Sequence, residues 1–135
     1  MKNNICGLES SSGHVKSFSE NLMDIKNQIY YDYFKRNFER DEIRQVDEFC
    51  KIIADVLTLP PDSKIKIGKE ERFAASVQEI YLCLDERHIE TVLEHFNKVT
   101  YKITSPKTYI RTALFNAYFE LENQNANENN MRCAQ

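Results

Sequence analysis

The sequence predicts a mainly α-helical domain, a compact bundle of about five helices with one small β-hairpin inserted between the second and third. Three observations lead to it. The 135 residues contain three glycines and three prolines, too few for an all-β sandwich or barrel, which must reverse direction about every ten residues. Through most of the chain the apolar residues recur at steps of three and four, the period of one helix face. The stretch Lys64–Ile67 alternates charged with apolar side chains instead, as a half-buried strand does.

The first 17 residues, with Ser10, Ser11, Ser12 and Gly13 in succession, hold too few apolar groups to offset the entropy of ordering them. They predict a disordered tail. The Asn-rich stretch 123–135 predicts another, which leaves residues 18–122 as the helical body. Phe18, Leu22, Ile25, Ile29 and Tyr33 place a first helix over about Phe18 to Asn37, with Tyr30 and Phe34 widening its face. A second helix, about Asp41 to Thr58, has one seam through Ile43, Val46, Cys50, Ile53 and Leu57 and another through Phe49, Ile52 and Val56. So wide an apolar arc predicts the central, most buried helix.

Pro60 and Pro61 end that helix, because proline lacks the amide donor and disfavours helical geometry at the residue before it. Ile65 and Ile67 then face one way and Lys64 and Lys66 the other, with Gly68 and Lys69 at the turn of the hairpin. A third helix carries Val77, Ile80, Tyr81 and Leu84. Asp85 caps a fourth, whose stripe is Ile89, Val92, Leu93 and Phe96. Ser105 at the cap and Pro106 at the first helical position start a fifth, which runs through Tyr109, Ile110, Ala113, Leu114 and Ala117 to about Leu121.

The hydrophobic share of 41% supplies one core, and the length leaves no room for a second full domain. No window approaches the roughly 18 apolar residues of a membrane span, and the opening MKNNICGLESSSGH lacks the apolar centre of a signal peptide, so a cytoplasmic protein is expected. Cys6, Cys50, Cys83 and Cys133 form no C-x-x-C pair. Cys50 and Cys83 lie in apolar runs and are expected to be buried reduced thiols, while Cys6 and Cys133 fall in the tails.

Chemistry-bearing patterns are scarce. His88 and His95 stand seven residues apart on the fourth helix, more than about 10 Å along its axis, too far to share a metal, which leaves them surface or capping roles. No H-E-x-x-H, phosphate-loop, dinucleotide-loop or nucleophile-elbow pattern occurs. The carboxylates are interleaved with Lys and Arg, as in Glu39, Arg40, Asp41, Glu42 and Arg44 at the start of the second helix. Neither catalysis nor a cofactor is expected.

Charge is segregated. Between Glu94 and Glu120 there is no acidic residue, while Lys98, Lys102, Lys107 and Arg111 contribute +4, so the rest of the chain sums to −7 within the net −3. Phe96, Tyr101, Tyr109, Phe115, Tyr118 and Phe119 are interleaved with those cations, a combination that suits a nucleic acid backbone with stacked bases. The plainer reading makes the aromatics core and the cations a solvated face. Four phosphate contacts would give a salt slope of only about −3.6, which means weak, supplementary binding. Glu79, Asp85, Glu86, Glu90 and Glu94 form an acidic counterpart around the third and fourth helices that would repel DNA and suit a basic protein partner.

Four strings carry a resemblance: IKNQIYYDYF (Ile25 to Phe34), KIKIG (Lys64 to Gly68), VQEIYLCLDERHIETVLE (Val77 to Glu94) and ITSPKTYIRTALFNA (Ile103 to Ala117). In order and wording they resemble the C-terminal domain of plasmid replication initiator A proteins of Gram-positive bacteria, across about 95 residues. The last helix is more distantly similar to the DnaD type of primosome domain, with Tyr109 at the tyrosine of that domain's single-stranded DNA motif and Ala113 and Ala117 at its later positions. Phe73 departs from the initiator pattern, which has a proline there, and the first 17 residues are too short for the winged helix with which such initiators read the origin. The resemblance implies a non-catalytic adaptor that recruits host replication proteins such as primase or the helicase loader. Its candidate anchors are the exposed members of the last two helices: His88, His95, Lys107, Tyr109 and Arg111. Two alternatives stand beside it: a weak nucleic-acid binder using Lys98, Lys102, Lys107, Arg111 and Tyr109, and a self-association module that forms a homo-oligomer.

Overall fold

The computed structural model describes residues 15–99 and 103–133, with side chains as far as 124. Six helices and one two-stranded antiparallel hairpin follow in the order α1 (Phe18–Gln28), α2 (Tyr31–Asn37), α3 (Arg40–Thr58), β1 (Lys64–Ile67), β2 (Glu70–Phe73), α4 (Ala74–Tyr81), α5 (Glu86–Lys98) and α6 (Pro106–Cys133). The mainly α class and the hairpin's place after the long central helix agree with the sequence.

The start of α1 is set by a capping box. The Ser17 hydroxyl accepts from the Glu20 amide at 3.2 Å and the Glu20 carboxylate accepts from the Ser17 amide at 2.9 Å. The single helix expected over Phe18–Asn37 is in fact two. At the junction Tyr30 adopts φ 57 and ψ 59 in the left-handed region, and the chain turns there. The turn lets Ile25, Ile29 and Phe34 all reach the core at 0–1% exposure. The step from Ile29 to Phe34 is five residues, which one straight stripe of period 3.6 does not accommodate. Tyr30, expected on the apolar face, is 63% exposed.

The central position of α3 is as expected. Val46, Phe49, Cys50, Ile53, Ala54 and Val56 are buried on it, and α1, α2, α4, α5 and α6 all pack against it. Burial pushes the Cys50 thiol up to about 12, so it stays protonated. At the end of α3 the Gln78 side-chain amide donates to Val56 O, which also accepts the Leu59 amide at 3.2 Å, and to Leu59 O, at 2.9 Å each. Gln28 does the same for α4, donating to Tyr81 O and Leu84 O at 2.9 and 2.8 Å. Two glutamines thus meet carbonyls that a C-terminal glycine motif serves in many helices.

In the hairpin, Lys64 pairs with Phe73 and Ile67 with Glu70 across a two-residue turn. Ile65 and Ile67 point inward and Lys64 and Lys66 outward. Gly68 takes φ +63 at the turn, and its amide donates to Thr112 Oγ1 at 2.9 Å, which fastens the hairpin to α6. The third predicted helix is shorter than its apolar spacing suggested: α4 ends at Tyr81, and Leu84 is buried from the following turn. Cys83, expected buried, lies in that turn and is exposed, because the chain has left helical period there.

Asp85 caps α5 and Ser105 precedes α6, both as predicted. The last helix runs on to Cys133, beyond the expected end near Leu121. The segment 123–133 has no Gly or Pro to stop it, and asparagine costs a helix interior only a few tenths of a kcal/mol, about 0.7 at most, relative to alanine. The predicted tail at residues 1–14, with Cys6 and His14, lies outside the described residues. No helix among the described residues is long and apolar enough to cross a membrane.

Candidate interaction surface

The strings with the most specific resemblance, Val77 to Glu94 and Ile103 to Ala117, fall on α4, α5 and the first half of α6, and α5 packs along α6. Between these two helices and the tip of the hairpin lies a hollow of about 410 Å³. His95 and Val92 line it from α5, and Tyr109, Ala113 and Asn116 from α6. The small side chains on α6 leave the space, and the hairpin turn at Gly68 closes one end.

His88 belongs elsewhere. It was expected on the surface and is 3% exposed. As the third residue of α5 its Nδ1 accepts from the Asp85 amide at 2.9 Å, completing a capping box in which histidine takes the place of the usual glutamate. Its ring stacks on Tyr118, centroids 5.9 Å apart. Burial holds its pKa below the ordinary value, against the pull of the Asp85 carboxylate 3.1 Å away. At Asp85 burial works upward, but the hydrogen bonds from Arg87 outweigh it and hold the carboxyl below its usual range. His88 is a structural cap, one of the two roles the sequence left open for it, because a histidine three residues after an N-cap resembles any surface residue of a helix.

The residues of the expected basic cluster differ in exposure and partners. Lys98 is exposed in the last turn of α5, and Lys102 lies outside the described residues. Lys107 is exposed but pairs with Asp55 of α3 at 3.2 Å, so α3 offsets part of the charge. Arg111 is half-buried, and its carbonyl accepts from the buried Tyr81 hydroxyl at 2.7 Å. Tyr109 is half-buried against Phe96, ring centroids 6.0 Å apart. Of the predicted residues, the structure brings His95 and Tyr109 together at the hollow. Lys107 borders a second groove of about 620 Å³, floored by Phe49, Ile52, Phe96 and Ile110. On the acidic face Asp85 is engaged, capping α5 and pairing with Arg87 at 2.8 Å.

Among the described residues no group of three or more His, Cys, Asp or Glu side chains is placed to hold a metal ion. The sequence also missed two exposed apolar side chains, Met23 at 68% and Tyr30 at 63%, which share a hollow at the α1–α2 junction.

These features define a small, mainly helical domain, braced by a two-stranded hairpin, whose surface offers apolar hollows between helices. Residues 8–133 match the model of DUF6017, a family of unknown function, and the chain belongs to that family. No curated protein and no solved structure matches it.

Proposed function

We propose that this chain is a non-catalytic adaptor domain of a plasmid or mobile-element replication initiator, acting in the cytoplasm, which recruits a host replication protein, primase or the helicase loader. One observation carries the reading. The two strings with the most specific resemblance to initiator C-terminal domains pack side by side as α5 and α6 and line a common hollow. A docking site needs a rigid scaffold with a few anchors around a recess, and His95, Tyr109 and Asn116 stand at the recess over a core that includes Leu93 and Leu114. The pairing of Lys107 with Asp55 and the half-burial of Arg111 favour a protein partner over a phosphate backbone.

The test is a titration of the full chain with purified primase and purified helicase loader from a Gram-positive host. Binding to one of them is expected in the micromolar range typical of weaker specific complexes, around −8 kcal/mol. His95→Glu and Asn116→Arg, both at exposed positions, should each weaken it at least tenfold with an unchanged melting curve. Absence of binding to both proteins, or equal binding by the variants, overturns the reading.

A further inference from the structure

His88 occupies the third position of α5, where a capping box ordinarily carries glutamate or glutamine. The oxygen of either side chain only accepts there near neutral pH. An imidazole nitrogen accepts until it takes up a proton, and then it donates. Histidine is the side chain whose ordinary titration falls in that range, so it alone can reverse the direction of the cap bond near neutrality.

The surroundings supply both settings. With the ring neutral, Nδ1 accepts from the Asp85 amide at 2.9 Å, which leaves the ring proton on Nε2. The same Nδ1 lies 3.1 Å from Asp85 Oδ1, and that oxygen accepts from the Arg87 amide at 2.9 Å and from Arg87 Nε at 3.2 Å. A proton on Nδ1 would face the Asp85 N–H donor to donor, and Oδ1 is the acceptor within reach. The ring is 3% exposed and stacked on Tyr118, so water cannot solvate its charge in place. Burial, the largest influence, favours the neutral ring; the Asp85 carboxylate pulls the other way, Arg87 sides with burial and Glu122 of α6 with Asp85. From the turn before α5, Cys83 reaches the Tyr118 hydroxyl, which Glu122 also meets.

We propose that His88 is a pH-operated latch on the first turn of α5. With the ring neutral the turn is closed. With the ring protonated Asp85 pairs with the imidazolium, the Asp85 and Arg87 amides lose their acceptors, and the turn comes away from Tyr118. Ile89, Val92 and Leu93, buried further along α5, hold the rest of the helix in place. Opening brings the ring into water, where it titrates near its ordinary value of 6.5. The open form therefore binds more protons than the closed one and gains population as pH falls below about 6.5. The latch borders the hollow between α5 and α6, because Thr91, whose hydroxyl donates to Arg87 O at 2.9 Å, lines it. It acts within the fold and does not depend on the replication role.

The full chain is followed by amide and imidazole NMR from about pH 7.5 to about pH 5, with native-state hydrogen exchange at both ends of the range. The Asp85, Arg87 and Ile89 amide signals should move in step with the His88 ring, while those of Val46 and Ile53 in α3 stay. Protection of the Asp85 and Arg87 amides, taken relative to α3, should fall at least tenfold over the range. His88→Gln keeps an acceptor that does not titrate and should abolish both responses, and His95→Gln should leave them intact. Asp85→Asn keeps a capping oxygen but withdraws the carboxylate, so it should move the transition to lower pH. The proposal is overturned if the three amides hold still while the ring titrates, or if the start of α5 and α3 lose protection equally, which would mean that the ring charges only when the whole fold opens. It is equally overturned if His88→Gln keeps the response or Asp85→Asn leaves the transition where it was.

Discussion

His88 makes the clearest residue-scale prediction. Because its Nδ1 accepts the Asp85 amide, the cap needs that nitrogen unprotonated, and burial disfavours the charged ring. In the unfolded chain the same imidazole takes up a proton near its ordinary value of 6.5. A folded pKa below the unfolded one means that the unfolded state binds more protons as pH falls. Stability is then full above about pH 6.5 and is lost progressively as pH drops toward the folded value. Asp85, also held low, gives up its contribution only below about pH 4, so the interval between about pH 6.5 and 5 isolates the histidine. Urea midpoints should fall across that interval, and His88→Gln should be less stable at pH 7 by about 1 kcal/mol and show a flatter pH profile. A parent midpoint constant between pH 7 and 5 would contradict this. Only part of it was legible in the sequence, where Asp85 announced itself as a cap and His88 stood open to a surface or a capping role, but nothing marked the two as reciprocal partners.

At the scale of elements, legibility follows from how local the deciding interaction is. Asp85, Ser105–Pro106 and Pro60–Pro61 act on their own first or last turn, and each boundary fell where the sequence put it. The break between α1 and α2 is decided by which side chains must reach α3, and the ends of α4 and α6 by packing and by the absence of a stop signal, so none of these could be read locally. The hairpin shows both kinds of cause. Its alternation and its Gly-Lys turn were readable, while the bond from the Gly68 amide to Thr112 joins parts of the chain 44 residues apart. At Gly68 a Cβ would meet only Thr112 Cγ2, at 3.9 Å, so Gly68→Ala should cost only the left-handed backbone preference, about 1–2 kcal/mol by chemical denaturation. Gly68→Asn should cost less, because asparagine tolerates that region. A loss well above 3 kcal/mol for the alanine would show that the turn itself rearranges and releases α6.

For the whole molecule, the wide apolar arc of α3 was visible at once, and its consequence is an order of local stability. Val46, Cys50, Ile53 and Val56 are fully covered by neighbouring elements, so their amides can exchange only when those elements come away together. The contrast is α2, with seven residues, a single buried side chain in Phe34, a left-handed residue in place of an N-cap and no side-chain cap bond. A helix that short has no stability of its own and depends on its few packing contacts. Native-state hydrogen exchange should therefore place the α3 amides at the global unfolding free energy and the α2 amides lower by at least about 2 kcal/mol. Leu93→Ala or Leu114→Ala, each removing a side chain buried at 0–2% exposure, should lower the α3 value by about 2–5 kcal/mol and the α2 value far less. Equal protection of α2 and α3 would mean that the α1–α2 junction is held from outside its own contacts.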